Sequence, residues 1–156
     1  MIYVVFLFGM LVMGGIVFFV MPKMMFVTKQ SKYDFLNTVQ KLEESIIESK
    51  WGHRGTWFIH NDFNERSIEF KPRIANVNLC KAPYAADILK IEKHRFAAAL
   101  MPCAFSVWEN NEGNKVFVTK MNTGLMGPIF GGAIAKIMGN FVSKEEKHML
   151  KDIVYQ

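Results

Sequence analysis

Residues 97–120 of this chain read AAALMPCAFSVWENNEGNKVFVTK, and they decide which class of fold the sequence can form. A largely apolar run, 97–108, and the strand-like stretch 115–120 lie on either side of a turn rich in Asn and Gly. Such runs, joined by such a turn, are typical of a β-hairpin. The stretch therefore predicts two adjacent antiparallel strands.

More strands and two helices are predicted on the N-terminal side of this hairpin. The strand candidates are 24–30, 56–59 and 74–79. Apolar residues recur at helical spacing from 35 to 50, where Asp34 can cap the first turn. Pro83 stands where a helix prefers its first residue, which predicts a short helix to residue 89.

The C-terminal part contains an apolar stretch, 125–142, that we interpret as one helix. Small residues recur along it every four positions and form a stripe that lets another backbone approach closely. The stripe consists of Gly127, Gly131, Ala135 and Gly139. Lys136 in the middle and Pro128 near the start favour a packed helix over a second membrane span. A capping box at 143–146 predicts a last amphipathic helix.

The first 21 residues carry no charged side chain and form an unbroken apolar run. As a helix they would extend about 31 Å, which is enough to cross a bilayer. The run lacks the basic start and the small residues of a signal peptide, so we favour an uncleaved anchor over residues 1–22. A cleaved signal peptide is the alternative.

The lysines that follow the anchor bear on which side of the cell membrane the soluble domain occupies. Lys23, Lys29 and Lys32 favour the cytoplasmic side by the positive-inside rule. A pair of cysteines would suit an oxidising periplasm equally well. A periplasmic domain therefore stays the alternative.

Composition limits the rest of the chain to one small domain. All 19 basic and 14 acidic residues lie from Lys23 onward, and 156 residues are too few for two ordinary domains. Two cysteines exclude a disulfide-dense scaffold, and 14 Phe with 3 Trp exclude a disordered chain. The net charge of +5 is spread along the sequence without a nucleic-acid motif, so we expect no nucleic-acid partner.

Cys80 and Cys103 are the candidates for chemistry. Cys80 adjoins Lys81 and precedes a predicted helix start, two features that favour a thiolate nucleophile or a soft metal ligand. Met101 could complete a site for a soft ion such as Cu(I), and His94 is the histidine to test as a metal or haem ligand. Cysteine and methionine also serve as packing residues. Inert thiols are narrowly favoured over a disulfide, over metal or haem ligation and over catalysis, in that order.

These residues and their spacing resemble the domain of unknown function 302 family. The resemblance is carried by Cys80, Pro83 and Ala85, by 100–103 with Pro102, by 107–109, Gly113 and 116–118, and by 33–35 with Thr38. It covers roughly residues 24–142, which leaves 143–156 as a separate C-terminal helix. Asn122 and the glycine-rich stretch after it are similar to a membrane-anchored branch of that family.

The resemblance implies an α+β domain in which helices pack on an antiparallel sheet. The implied arrangement is similar to the β-α-β(4)-α order of TATA-binding-protein-like domains, with a tendency to dimerise. It implies no reaction and no nucleic-acid binding, because a fold does not carry a function. Members often have a polar residue after the second cysteine, where this chain has Ala104.

We therefore expect a single-pass membrane protein that is an accessory or interaction subunit rather than an enzyme. It would pack against itself or against other subunits of a membrane complex through the glycine stripe. No nucleotide-binding, covalent-haem or nucleophile-elbow motif is present. The alternative is a metal-, haem- or thiol-redox-binding module centred on Cys80 and Cys103. A thiol enzyme is a third hypothesis.

Overall fold

Five antiparallel strands form one sheet in the computed structural model of this protein, which describes residues 2–156. The strands are β1 (Phe26–Gln30), β2 (Gly52–Phe58), β3 (Ile74–Cys80), β4 (Cys103–Glu109) and β5 (Val116–Met121), in the order β1-β5-β4-β3-β2. With the helices on one side of this sheet, the predicted α+β class is confirmed. The TATA-binding-protein-like topology stays a prediction.

Eight α-helices and two other helical segments connect and flank the strands within residues 2–156. The α-helices are α1 (Ile2–Phe19), α2 (Met21–Met24), α3 (Phe35–Glu48), α4 (Ile59–Glu65), α5 (Ala82–Leu89), α6 (Thr123–Phe130), α7 (Gly132–Lys136) and α8 (Ser143–Leu150). A 3₁₀ helix spans Glu92–Leu100, and a π-helical segment spans Ile137–Val142.

The predicted hairpin is confirmed as β4 and β5, in which Val107 lies opposite Val118. Strand β4 of this hairpin is shorter than predicted, because residues 97–100 belong to the 3₁₀ helix. Three consecutive alanines favour helical over extended backbone, which explains the error. A second difference concerns the predicted strand 56–59, whose last residue, Ile59, begins α4.

Helix α3 begins where the sequence predicted. The Asp34 side chain accepts a hydrogen bond from the backbone N–H of Asn37 at 3.0 Å and so satisfies an N-terminal donor of the helix. The side chains of Phe35, Leu42 and Ile46 are fully buried. This apolar stripe anchors the helix layer to the sheet.

The two faces of the sheet differ in what covers them. Facing α3 and α8, the strands bury the side chains of Ala75, Val77, Leu79, Phe105, Val107 and Val118. On the opposite face, no strand side chain within residues 26–121 is buried. We call this second side of the sheet the open face.

The prediction of one helix over 125–142 is wrong. The backbone turns at Gly131 and Gly132, whose φ angles are 68° and 55°, so α6 and the helix after it form a hairpin. Such positive φ angles are open to glycine and cost other residues strain. Residues 125–142 consequently form neither a membrane span nor a continuous glycine stripe.

Gly127 and Gly139 meet inside this helical hairpin. A Cβ atom on Gly127 would lie only 2.6 Å from the backbone nitrogen of Gly139. Gly127 therefore admits a backbone from its own chain rather than from a partner. The capping box is also wrong, because the Ser143 hydroxyl donates to the carbonyl of Gly139 at 2.6 Å and α8 continues the preceding π-helical turn.

The N-terminal helix is long and apolar enough to cross a membrane, judged by its length and composition. The span Phe6–Met24 has 19 residues, a mean hydropathy of 1.9 and no buried portion. A signal sequence would have the same features. Asn122 makes two hydrogen bonds to the C-terminal end of this helix. The backbone N–H of Asn122 donates to the Met25 carbonyl at 2.7 Å, and its side-chain amide donates to the Met24 carbonyl at 3.0 Å.

Candidate functional site

Three of the four ligand candidates surround one small cavity, which we call the sulfur cavity. Cys80 ends β3, Cys103 begins β4 opposite Leu79, and Met101 lies just before Cys103. All three residues line a cavity of about 40 Å³, whose other walls are largely apolar side chains. A space of this size holds one water molecule or one ion and is far below the several hundred Å³ of an organic cofactor site. Haem therefore does not fit it.

The two cysteines are both free thiols. Burial raises the pKa of the Cys103 thiol to about 12, and the negative charge of Glu146 and the nearby Cys80 add to that increase. Cys103 is thus protonated at neutral pH. A nucleophile or a metal ligand must be a thiolate, so Cys103 can serve as either only if a base removes its proton or a metal ion displaces it.

The position of Lys81 next to Cys80 suggested a free cation that would favour a thiolate. In the structure, Lys81 is instead paired with Glu145. Its ammonium group donates to Glu145 Oε2 at 2.5 Å, and Glu145 also accepts from Trp51 Nε1 at 2.6 Å and from the Tyr84 hydroxyl at 2.5 Å. One carboxylate from α8 thus joins three segments around the mouth of the sulfur cavity.

The pKa values in this cluster follow from its hydrogen bonds. Burial alone would raise the pKa of Glu145, but the donors Lys81, Tyr84 and Trp51 outweigh it and bring that pKa below its ordinary value. The same bond to Glu145 raises the pKa of the Tyr84 hydroxyl. The cluster is therefore a fully satisfied structural network.

A buried ion pair lies on the inner side of Cys103. Lys120 Nζ is 2.8 Å from Glu146 Oε2, and their side chains are only 10 % and 3 % exposed. Glu146 Oε2 also accepts from the Thr123 hydroxyl at 2.9 Å. The sequence does not single out the two glutamates of α8 as partners in the core, because residues 143–146 also match a capping box.

His94 does not belong to the sulfur cavity. Its ring is buried and packs on Gly132, where an added Cβ would lie 2.9 Å from two ring atoms. Its Nδ1 has no hydrogen-bond partner among residues 2–156. Within the described chain, no group of three or more His, Cys, Asp or Glu side chains could hold a metal ion.

The other residues singled out by sequence have structural positions. Pro83 lies in the first turn of α5, and Pro102 lies between the 3₁₀ helix and β4. Asn122 caps α6, since its side chain accepts from the N–H of Leu125 at 3.4 Å. Backbone geometry therefore accounts for the presence of these residues at their positions.

The open face is a second candidate site, and sequence analysis did not identify it. Strand pairing places on it Phe26, Thr28, Gln30, Trp57, Ile74, Asn76, Asn78, Ala104, Ser106, Trp108, Phe117, Thr119 and Met121. None of these side chains is charged, and charge enters the face only at its β2 edge. There Asp62 accepts a hydrogen bond from Trp57 Nε1 at 3.1 Å, and the Arg54 guanidinium lies beside Gly52. Trp57 and Phe26 are 50 % and 55 % exposed.

The centre of the open face is ordered by its own contacts. Trp108 stacks on Phe117 with ring centroids 4.6 Å apart, and its Nε1 donates to the Thr119 hydroxyl at 2.9 Å. The Thr119 and Thr28 hydroxyls lie 2.8 Å apart, which extends the contacts to the edge strand. The sequences of β4 and β5 indicate strands, but they do not indicate that this face lacks a covering helix.

Comparison with known proteins identifies the domain but gives it no activity. A family model described as "Domain of unknown function DUF302" matches residues 27–151. That range includes α8, which carries Glu145 and Glu146. No curated protein matches the chain.

A solved structure has the same fold. It is the crystal structure of an uncharacterized conserved protein DUF302 from Bacillus stearothermophilus, with a TM-score of 0.71 and 16 % sequence identity. The similarity covers 83 % of this chain and 98 % of that one. The N-terminal helix Ile2–Phe19 precedes the residues matched by the family model.

Proposed function

The chain belongs to the family of the domain of unknown function DUF302, and we propose that it is a membrane-anchored, non-enzymatic interaction domain that binds a second copy of itself through the open face. The observation that carries this proposal is a solvent-exposed sheet face on which β1, β5, β4 and β3 present no charged side chain, in a chain where 21 % of residues are charged. The charged groups at this face, Arg54 and Asp62, lie at the β2 edge.

The composition of the open face suits a protein–protein interface. The centres of such interfaces are poor in charged residues and rich in Trp, Phe and Met. Trp57 and Phe26 supply exposed aromatic area, and Trp108 is held by its stack on Phe117. A surface whose central strands carry no charge also meets its own copy there without repulsion, as a twofold symmetric contact requires.

The size of the open face is sufficient for a modest dimer. Five strands spaced about 4.8 Å apart, each about 20 Å long, present about 500 Å² per copy. Two copies would bury about 1,000 Å², which is the lower limit for a specific interface. A shared membrane adds to the effective concentration of the two domains and so favours this contact.

The glycine stripe is no longer the proposed contact surface. Gly127 is buried against Gly139 within the chain, and the turn at Gly131 divides the stripe between two helices. Self-association is therefore assigned to the open face. Anchoring by residues 1–22 rests on the length and apolar character of the N-terminal helix, and we favour a cytoplasmic domain because of the lysines that follow it.

Ser106→Lys is expected to convert the dimer to a monomer. Ser106 lies on the central strand β4 in the open face, so the substitution would place two lysines in the middle of a symmetric contact. Light scattering of the full chain in a mild nonionic detergent measures the mass of the protein component. We expect a dimer for the unmodified chain and a monomer for the variant, with equal melting temperatures.

A matched pair of apolar substitutions provides the control. Trp57 and Ile68 are 50 % and 51 % exposed, but only Trp57 lies on the open face. Trp57→Ser should weaken the dimer by tenfold or more, as loss of an interface aromatic does, and Ile68→Ser should leave it unchanged. A monomeric unmodified chain, or a dimeric Ser106→Lys variant, would contradict the proposal.

A second candidate function is the binding of one soft metal ion in the sulfur cavity. Cys80, Met101 and Cys103 border the same space of about 40 Å³. Thiolate and thioether sulfur together select an ion such as Cu(I). The Cys103 thiol, with its pKa of about 12, would have to lose its proton, so the affinity should rise with pH throughout the neutral range.

Anaerobic titration of the full chain with Cu(I), in competition with a chromophoric chelator, tests this second function. We expect one ion per chain and at least tenfold weaker binding for Met101→Leu. Met149→Leu is the matched control, because Met149 is buried away from the sulfur cavity. Equal affinities for these two variants and for Cys80→Ser would refute a sulfur site.

A further inference from the structure

We propose that a groove between β1 and α8 binds the phosphate groups of anionic phospholipids in the membrane that holds the anchor. We call it the basic groove. It has a volume of about 920 Å³, and the basic residues that line it are Lys29, Lys120, Lys144, Lys147, His148 and Lys151. No Asp or Glu of the described chain lines it. The inference rests on the anchoring part of the proposed function.

Four of these lysines are available to an external anion. Lys120 is committed to Glu146. The remaining four have no carboxylate within 4 Å among residues 2–156, and all are exposed: Lys29, Lys144, Lys147 and Lys151. A cluster of four lysines at a membrane surface is typical of proteins that bind acidic headgroups.

The other side of α8 carries compensating charge. Lys144 and Lys151 also border a second groove, which Glu44, Glu48 and Asp152 line. Lys29 and Lys147 border only the basic groove. The positive potential is therefore strongest on the side of α8 that faces β1.

The basic groove lies beside the end of the membrane anchor. Asn122 lines the groove and holds the carbonyls of Met24 and Met25 through two hydrogen bonds. Val27 also lines it and lies three residue steps after Met24, a distance of at most about 10 Å. The polar region of one leaflet is about 5–8 Å thick, so headgroups lie within reach of the groove.

The shape of the basic groove favours headgroups over a single free phosphate. A specific phosphate site gathers backbone N–H groups or bidentate arginines around one anion. Here the donors are lysines, which act as separate point charges along an open groove. Several headgroups in a membrane plane match that distribution better than one small ion does.

The binding test uses the full chain in nonionic detergent and native mass spectrometry with added phosphatidylglycerol or phosphatidylcholine. We expect the unmodified chain to retain phosphatidylglycerol in preference to phosphatidylcholine. The triple variant Lys144→Gln, Lys147→Gln, Lys151→Gln should bind phosphatidylglycerol at least tenfold more weakly. Millimolar inorganic phosphate should not displace the lipid.

A charge-matched triple variant is the control. Lys71→Gln, Lys93→Gln and Lys115→Gln remove the same charge from exposed positions outside the basic groove. The control should bind phosphatidylglycerol like the unmodified chain, and both triple variants should melt at the same temperature. Equal lipid binding by the two triples, no preference for the anionic lipid, or displacement by phosphate would overturn the inference.

Alkaline carbonate extraction of membranes separates failure of the anchor from failure of the groove. Release of the unmodified chain into the supernatant would refute the anchor, and with it the membrane source of the lipid. Retention in the membrane with no difference between the two triple variants would refute only the basic groove. Retention with a selective loss of lipid in the first triple variant supports both.

Discussion

Glu146→Gln is expected to lower the free energy of unfolding by about 3–5 kcal/mol, a large part of the stability of a domain this size. The substitution preserves the volume of the side chain and an acceptor for the Thr123 hydroxyl, but it removes the partner of a lysine that is only 10 % exposed. A buried charge without its counter-charge accounts for the loss. Urea unfolding of the full chain in nonionic detergent measures it.

Two further variants define the cause of that loss. Asp87→Asn breaks the exposed pair with Lys90 and should cost less than about 0.5 kcal/mol. Replacing both buried partners, with Lys120→Met and Glu146→Leu together, should recover most of the stability, because no charge is then left unpaired. A loss below about 1 kcal/mol for Glu146→Gln would show that water reaches Lys120.

Gly127→Ala is expected to destabilise the protein by about 2–3 kcal/mol, the upper part of the range for overpacked interiors. The new methyl group would lie 2.6 Å from the Gly139 nitrogen and 3.1 Å from its Cα, and backbone atoms cannot move aside as a flexible side chain can. The two arms of the helical hairpin would have to separate. Thermal unfolding followed by circular dichroism measures the effect.

Gly124→Ala is the matched control in the same helix. A Cβ on Gly124 would make only ordinary contacts, the nearest at 3.7 Å. Because alanine favours helix over glycine, this variant should be as stable as the unmodified chain or up to about 1 kcal/mol more stable. If the two variants melted together, the close contact of Gly127 with Gly139 would be refuted.

The elements predicted well are those whose signal is local. Asp34 with the periodic apolar residues after it was sufficient for α3, and the Asn- and Gly-rich turn was sufficient for the β4–β5 hairpin. Glycines spaced by four were ambiguous, because the same residue that allows close helix packing also allows a positive φ. Gly131 adopts a positive φ angle, and α6 ends there.

The candidate sites were predictable only in part. Cys80 and Cys103 could be placed together because one ends a strand and the other begins one. The partners of Glu145 lie 61 to 94 residues away in sequence, and no local pattern indicates such contacts. Whether a sheet face lacks a covering helix depends on where every helix packs, so the open face could not be found from strand patterns alone.

The two bonds from Asn122 have a mechanical consequence. Backbone hydrogen bonds join Val20 to Ile16 and Met24 to Val20, and Asn122, which follows β5, then binds the carbonyls of Met24 and Met25. The end of the helix is thereby attached to the sheet. A spanning helix tilts more in a thinner bilayer. With the N-terminal helix as the proposed membrane anchor, such a tilt would turn the attached sheet as well, so that lipid thickness would set the direction in which the domain points.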